Sequence, residues 1–271
     1  MRSVNRNSWL VWVAAGGALA VAVSWQRAAA ERLEDPSFFS GYLLFGLILF
    51  LAFYNWRKKL SMLPVGGVST WLSLHVVFGL LAVALFWLHA GNVWPQGFAD
   101  RCLAFLFYLV CASGVVGYLV QLTVPHRLTQ VEHETIFERI AAELADIRGD
   151  AECAVLAAAE GSGNETLGRY YQETLSWFFA RPRFLRSHVT GGRRAEQWLG
   201  RQVQTIDRYL TDAERPHLAR LAELGRVKIG LDAQYALQSL LKRWLLVHVP
   251  LSVALIALAF WHLLLVNVYA R

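Results

Sequence analysis

The chain is 271 residues long and carries a net charge of +6, and 56% of its residues are hydrophobic whereas only 17% are charged. A soluble globular domain is typically about 45–50% apolar and about 25% charged, so this composition argues against a disordered chain, a fibrous repeat and an ordinary cytosolic enzyme. The three cysteines form no CxxC or CxxCH motif. This argues against a disulfide framework, a cysteine-rich metal site and covalently attached c-type haem.

Five apolar segments are long enough to cross a bilayer, whose hydrocarbon core needs about 20 apolar residues per helix. They cover residues 8–25, 39–55, 71–90, 102–122 and 244–269. We therefore predict an all-α membrane bundle of five transmembrane helices with an all-α insert. Residues 1–122 hold the first four membrane helices, residues 123–243 form the insert, and residues 244–271 complete the bundle.

The first segment has a second interpretation as a cleaved signal peptide, because Arg2 and Arg6 precede it and three alanines follow it at 28–30. Its apolar run is long for a signal sequence, and Gln26 and Arg27 separate the run from the alanines. We therefore expect a retained helix.

The charges of the connecting segments predict how the helices are oriented. The N-terminus and residues 57–59 hold five positive and no negative charges, whereas the opposite side balances arginines against carboxylates. Positively charged loops stay in the cytoplasm. We therefore expect an integral protein of the bacterial inner membrane, with the insert in the cytoplasm and the C-terminus outside.

Four of the eight histidines lie inside predicted spans, where ionisable residues are costly and usually functional. His75 and His89 are fourteen residues apart on the third span, and His248 and His262 are fourteen apart on the fifth. Fourteen residues make four turns of a supercoiled helix, so both histidines of a helix face the same way, about 21 Å apart. Both helices run outward from a tryptophan four residues before the first histidine. This register predicts that His75 faces His248 near the cytoplasm and that His89 faces His262 near the outer side.

The two segments that carry these histidines also resemble each other. Residues 71–89 and 244–262 align without gaps and share seven of nineteen positions, including both histidines. Two imidazoles on opposite helices can fill both axial positions of a haem iron, so two pairs predict two haems. Two alternatives remain: histidines that join helices by hydrogen bonds, and a zinc or proton-transport site. Zinc, however, prefers ligands gathered at one depth.

The doubled H-x13-H pattern resembles the di-haem four-helix bundle of the respiratory cytochrome b proteins. The resemblance implies that spans two to five form this bundle, that the first span is additional, and that His75, His89, His248 and His262 ligate two non-covalent b-type haems. It also implies glycines where a porphyrin edge meets a helix, for which the candidates are Gly41, Gly46, Gly79, Gly114 and Gly117. Cations that contact the haem propionates are available at Arg57, Lys58, Lys59, Arg101, Lys242 and Arg243.

The resemblance further implies a function in transmembrane electron transfer, linking a quinone pool or a redox partner protein across the membrane. The chain is then the quinone-reactive, electron-transfer subunit of an oxidoreductase. The alternative is a membrane anchor or assembly subunit of a larger oxidoreductase complex, in which the haems are structural or relay elements.

The insert shows helical periodicity but no motif of catalysis. Its helices are predicted at 130–147, 151–160, 165–179, 193–210 and 212–241, with a capping box from Thr211 to Glu214. A basic cluster is best interpreted as a solvated face, docking of anionic membrane lipid or of an acidic redox partner being the alternative; it comprises Arg181, Arg183, Arg186, Arg193 and Arg194. The insert's 17 basic and 16 acidic residues nearly balance, which argues against nucleic acid.

Overall fold

The computed structural model describes residues 8–31, 37–57, 68–128 and 135–269. Every regular element in these ranges is a helix and none is a strand, which confirms the all-α class. The chain divides into two compact units. We call residues 1–118 with 245–271 the membrane unit, and residues 119–244 the insert unit.

Four of the described helices are long and apolar enough to cross a membrane, with mean hydropathies between 1.9 and 2.3. They are α2 (Ser37–Arg57), α3 (Val68–Ala90), α4 (Phe98–Leu128) and α10 (Arg215–Tyr269). The first helix, α1 (Ser8–Glu31), forms where the first span is predicted but is not among these four. The 55 residues of α10 far exceed one membrane crossing at about 1.5 Å per residue, so only its last part, near 244–269, corresponds to a span.

The core of the membrane unit is narrow, and small residues bring its helices together. Ala82 on α3 and Ala104 on α4 are almost fully buried, and the stacked rings of Phe86 and Phe107 lie between the same two helices, with centroids 4.5 Å apart. Small side chains of this kind permit close helix approach in a bilayer, where no hydrophobic force drives helices together. Large apolar side chains such as those of Phe105 and Trp261 remain exposed, as expected of a surface that faces lipid.

The insert unit has a denser core built from shorter helices. These are α5 (Phe137–Ser162), α6 (Thr166–Tyr170), a π-helical turn (Tyr171–Leu175), α7 (Ser176–Phe179), α8 (Leu185–Thr190) and α9 (Arg194–Asp207), and they pack with the first part of α10. Phe178, Phe179 and Ile140 are buried at its centre. This unit therefore has the composition of a soluble domain core, unlike the membrane unit.

The helix boundaries of the insert agree with the predicted breaks at two glycines. Gly163 follows α5 with φ of +66° and Gly191 follows α8 with φ of +76°, and both therefore need glycine in the left-handed region. Half of the predicted capping box is formed: the carboxylate of Glu214 accepts hydrogen bonds from the backbone N–H and the hydroxyl of Thr211, at 3.1 and 2.9 Å, but the N–H of Glu214 bonds to the carbonyl oxygen of Thr211 and not to its hydroxyl.

Two features of the insert differ from the prediction. The expected interruption at 148–150 is wrong, because α5 runs unbroken from Phe137 to Ser162. Ala151 is fully buried there, and Arg148 contacts Glu152 at 2.8 Å across one helical turn. The second difference is α8, which was not predicted because its six residues are too few to show a periodicity.

Candidate cofactor site

The outer histidine pair is formed by α3 and α10, as predicted. The rings of His89 and His262 face each other with centroids 6.4 Å apart and an interplanar angle of 87°. Two imidazoles bound to opposite sides of one metal ion, each with a nitrogen about 2 Å from it, have ring centres about 6 Å apart. The two side chains are therefore spaced as a pair of axial ligands requires.

Residues at the start of α2 fix the ring of His89. Its Nδ1 lies 3.0 Å from the carbonyl oxygen of Ser37 and 3.2 Å from Oγ of Ser40. The Ser40 hydroxyl itself donates to the same Ser37 carbonyl, at 3.1 Å. Because a carbonyl can only accept, the proton of His89 resides on Nδ1 in this contact, which makes Nε2 the acceptor nitrogen of the neutral ring.

A carboxylate lies beside the other member of the outer pair. Nδ1 of His262 is 3.5 Å from Oδ1 of Asp100, in the first turn of α4. Both side chains are partly exposed. Carboxylates near the ring nitrogen that does not bind the metal are common around histidine ligands, where they orient the ring and increase its basicity. Sequence reasoning treated Asp100 only as a loop charge.

The inner histidines also lie on α3 and α10, and His75 and His248 are close enough to interact electrostatically. Nδ1 of His248 lies 3.2 Å from Oγ of Ser113 on α4. The ring of His75 packs against Tyr54 with centroids 5.0 Å apart. Its Nδ1 is buried and makes no hydrogen bond within normal limits to any residue that the structure describes.

The five candidate glycines occupy different environments. A Cβ on Gly41 would lie 2.9 Å from Cε1 of His89, and a Cβ on Gly114 would lie 3.8 Å from Cε1 of His248. Gly46 and Gly79 have no atom within 4 Å of such a position, and Gly117 is buried. The structure therefore places Gly41 and Gly114 beside the histidines, and it does not bring Gly46 or Gly79 against any described side chain.

Gly46 instead lines a cavity of about 300 Å³ between α1, α2 and α3. Its walls are apolar, with Ala18, Phe50 and Leu81 among them, and Tyr42 stands at one side. The Tyr42 hydroxyl donates to Oδ1 of Asn267 at 2.7 Å, which joins α2 to the outer end of α10. This bond holds α10 in place one turn beyond His262.

The candidate cations for propionates divide into two groups. Lys242 is already engaged, because its ammonium lies 2.6 Å from Glu138 and 3.9 Å from the ring centre of Phe137. This hydrogen bond lowers the pKa of the Glu138 carboxyl. Arg101 donates to the side-chain oxygen of Gln96 at 3.0 Å, and Arg243 is exposed. Lys58 and Lys59 lie outside the described residues, and of Arg57 only the backbone, at the end of α2, is described.

No protein-family profile, curated protein or solved structure matches this chain. Function is therefore inferred from the geometry of the histidines. Within the described ranges, no three His, Cys, Asp or Glu side chains gather as ligands around one point. A haem supplies four nitrogen ligands of its own, and one histidine on each side completes its coordination.

Proposed function

We propose that this protein is a di-haem b-type cytochrome of the bacterial inner membrane that carries electrons between the two faces of the bilayer. His89 and His262 hold the outer haem, and His75 and His248 hold the inner haem. Spans two to five form the haem-binding bundle and α1 is a fifth, additional membrane helix. The observation that carries the proposal is the outer pair, with opposed rings 6.4 Å apart.

The side chains around the histidines support ligation because they set which nitrogen is available. Nδ1 is partnered by Ser37 and Ser40 in His89, by Ser113 in His248 and by Asp100 in His262. Each partner contacts one ring nitrogen from another helix and so restricts the rotation of the ring. When bound, the haems supply reversible one-electron redox chemistry, and burial and axial ligation set its potential.

The depth of the two pairs supports transfer across the membrane rather than along one face. Fourteen residues of helix separate the two histidines of α3 and of α10, which is about 21 Å in a hydrocarbon core of about 30 Å. A charge that crosses this distance moves with or against the membrane potential, worth about 2.3 kcal/mol per 100 mV. The partners on either side are a quinone, a redox partner protein or both.

The proposal is tested first by a reduced-minus-oxidised absorption spectrum of the purified protein, with pyridine haemochrome quantification. We expect two b-type haems per chain. A folded protein without haem contradicts the proposal and favours the alternatives, in which the histidines join helices by hydrogen bonds or form a transport site.

Single variants then assign the two levels. We expect His75→Ala or His248→Ala to lose the inner haem and to retain the outer one. The matched control is His126→Ala, which changes an exposed histidine of α4 beyond the predicted span and should leave both haems. Reduction of the purified chain by a quinol supports direct quinone reactivity, whereas reduction only with a second subunit present supports the anchor alternative.

A further inference from the structure

One segment of the insert unit carries five positive charges and no acidic residue of its own, and among its arginines Arg193 pairs with a carboxylate just outside it, that of Glu196. Five arginines and no Asp or Glu lie between Glu173 and Glu196, although residues 123–243 as a whole are almost neutral. We call residues 181–194 the arginine loop; it contains Arg181, Arg183, Arg186, Arg193 and Arg194. Such a concentration of one charge in an otherwise balanced unit requires an explanation.

A buried ion pair holds the start of the arginine loop in place. Lys228 on α10 donates to the carbonyl oxygen of Arg181 at 3.1 Å and to the carboxylate of Asp232. The same carboxylate accepts the backbone N–H of Arg183 at 3.0 Å. Both side chains of the pair are 0% exposed, and burial raises the pKa of Asp232 to about 6 and lowers that of Lys228. The loop backbone is therefore fixed to the core and is not free to fold away.

Most arginine side chains of the loop are exposed, although Phe184 packs on the core and Ser187 is buried. Phe184 has φ of +54°, an unfavourable conformation for a residue with a Cβ, and it turns the chain directly after the anchored residues. Arg181, Arg186 and Arg194 are exposed and take part in none of the ion pairs formed between described residues. Arg183 stacks on Trp177, 4.2 Å from the ring centre, and that indole is 44% exposed.

Contacts within the insert unit place the far end of the loop next to the membrane. The guanidinium of Arg127 donates to the carbonyl oxygen of Val189 and lies 3.3 Å from the position of a Cβ on Gly191. Arg127 is five residues beyond Leu122, the end of the predicted span, which is about 7.5 Å of helix. The head-group region on each side of the hydrocarbon core is about 5–8 Å thick, so the predicted end of the α4 span puts the Arg127 end of the loop at the level of the phosphates.

We propose that the arginine loop binds the anionic phospholipid head groups of the leaflet from which α4 emerges. Clusters of four or more arginines or lysines beside the cytoplasmic end of a membrane helix attract anionic lipid. The guanidinium fork suits phosphate oxygens, and an exposed tryptophan suits the interface. This proposal needs the membrane position of α4 but does not depend on the haems.

The test uses the full-length protein in nanodiscs of phosphatidylcholine, with or without phosphatidylglycerol, and compares hydrogen exchange of peptides that cover 181–194. We expect phosphatidylglycerol to slow exchange in these peptides several-fold. The triple variant R181Q/R186Q/R194Q should lose this difference, and it should retain fewer phosphatidylglycerol molecules in native mass spectrometry.

The matched control is R169Q/R208Q/R220Q, which removes the same charge from exposed arginines near the opposite end of the unit. Contacts of Glu214 with Leu167 and of Arg215 with Asp207 mark that end, about 45 Å of helix before Trp244. The control variant should keep the protection from exchange by phosphatidylglycerol. A triple arginine-to-lysine variant at 181, 186 and 194, which keeps the charge, should keep part of that protection. Equal exchange in both lipid compositions, or equal loss in both glutamine variants, would overturn the proposal.

Discussion

The two units of the molecule differ in how their ionisable side chains are partnered. In the insert unit, Lys228 and Asp232 contact each other directly, and backbone groups of residues 181 and 183 take up further bonding capacity. In the membrane unit, the ring centres of His89 and His262 are 6.4 Å apart, and each ring contacts a residue of another helix, Ser40 and Asp100 respectively. Lys228 and Asp232 thus form a direct ion pair, although Oδ1 of Asp232 has no hydrogen-bond partner among the described residues, whereas the two histidines are spaced as the proposed axial ligands of one haem.

The same contrast extends to the residues around each group. The ammonium of Lys228 lies 4.2 Å from the ring centre of Phe178, among the buried side chains of the insert core. Around the histidines, glycines stand where larger residues would press on the rings, as at Gly41. The buried charge is held by a packed core, whereas the histidines beside glycines are where we propose a bound group.

The largest expected effect comes from breaking the Lys228–Asp232 ion pair of the insert unit. We expect Lys228→Met to destabilise the insert unit by about 3–5 kcal/mol, because it leaves the Asp232 carboxylate buried without its cation. Thermal or urea unfolding, followed by proteolysis of the insert, measures the change.

Two control variants separate burial from charge in that experiment. The double variant K228M/D232L removes both charges and should recover most of the loss, since apolar replacements of a buried pair are often neutral or stabilising. Arg148→Gln breaks an exposed pair with Glu152 and should change stability very little. A single Lys228 variant as stable as the wild type would show that the pair does not hold the core together.

The sequence predicts the histidine pairs of the membrane unit better than the ion pair of the insert unit. The spacing of His75, His89, His248 and His262 is visible along the chain because both members of each pair lie on one helix. Lys228 and Asp232 also have helical spacing, but their burial depends on Phe178 and the backbone of 181–183, which only tertiary packing brings near. No local pattern reports that approach.

The residues that orient the histidines were missed for a related reason. Ser37, Ser40 and Ser113 reach the imidazoles from other helices, and helix register and rotation decide which side chains meet. A signal was present, because Ser40 and Ser113 are polar residues inside apolar spans. The π-helical turn at Tyr171–Leu175 had no such signal, since a local widening of a helix leaves the sequence periodicity almost unchanged.

A second prediction concerns the outer histidine pair, next to which a substitution adds one methyl group. Gly41→Ala would place Cβ 2.9 Å from Cε1 of His89, so the ring must shift. We expect the spectrum of the outer haem to change or that haem to be bound less tightly, at about 1–3 kcal/mol for an overpacked contact. Absorption and electron paramagnetic resonance spectra distinguish the two haems and show whether the inner one is unaffected.

Gly46→Ala is the matched control for that variant, because it lies on the same helix and its added Cβ would meet no atom within 4 Å. Both substitutions raise helix propensity, by roughly 0.5–1 kcal/mol, so helix stability does not separate them. Equal spectra for both variants and the wild type would argue that the His89 ring does not bind a haem.

The smallest predicted effect distinguishes the two histidine levels from each other. Only the outer pair has a carboxylate next to a ligand, with Asp100 Oδ1 3.5 Å from His262 Nδ1. A negative charge beside an axial imidazole favours the oxidised iron, which carries one more positive charge. We therefore expect Asp100→Asn to raise the reduction potential of the outer haem and to leave that of the inner haem unchanged in a potentiometric titration.

The effect should be modest, because Asp100 is 46% exposed and water screens its charge. Asp100→Glu keeps the charge and should restore a potential close to that of the wild type, whereas a contribution from packing alone would not follow the charge. A potential that changes equally at both haems would point to a general structural disturbance. A change confined to the outer haem would show that the carboxylate of Asp100 sets part of the reduction potential at the outer pair. The inner pair is instead contacted by a serine hydroxyl and an aromatic ring.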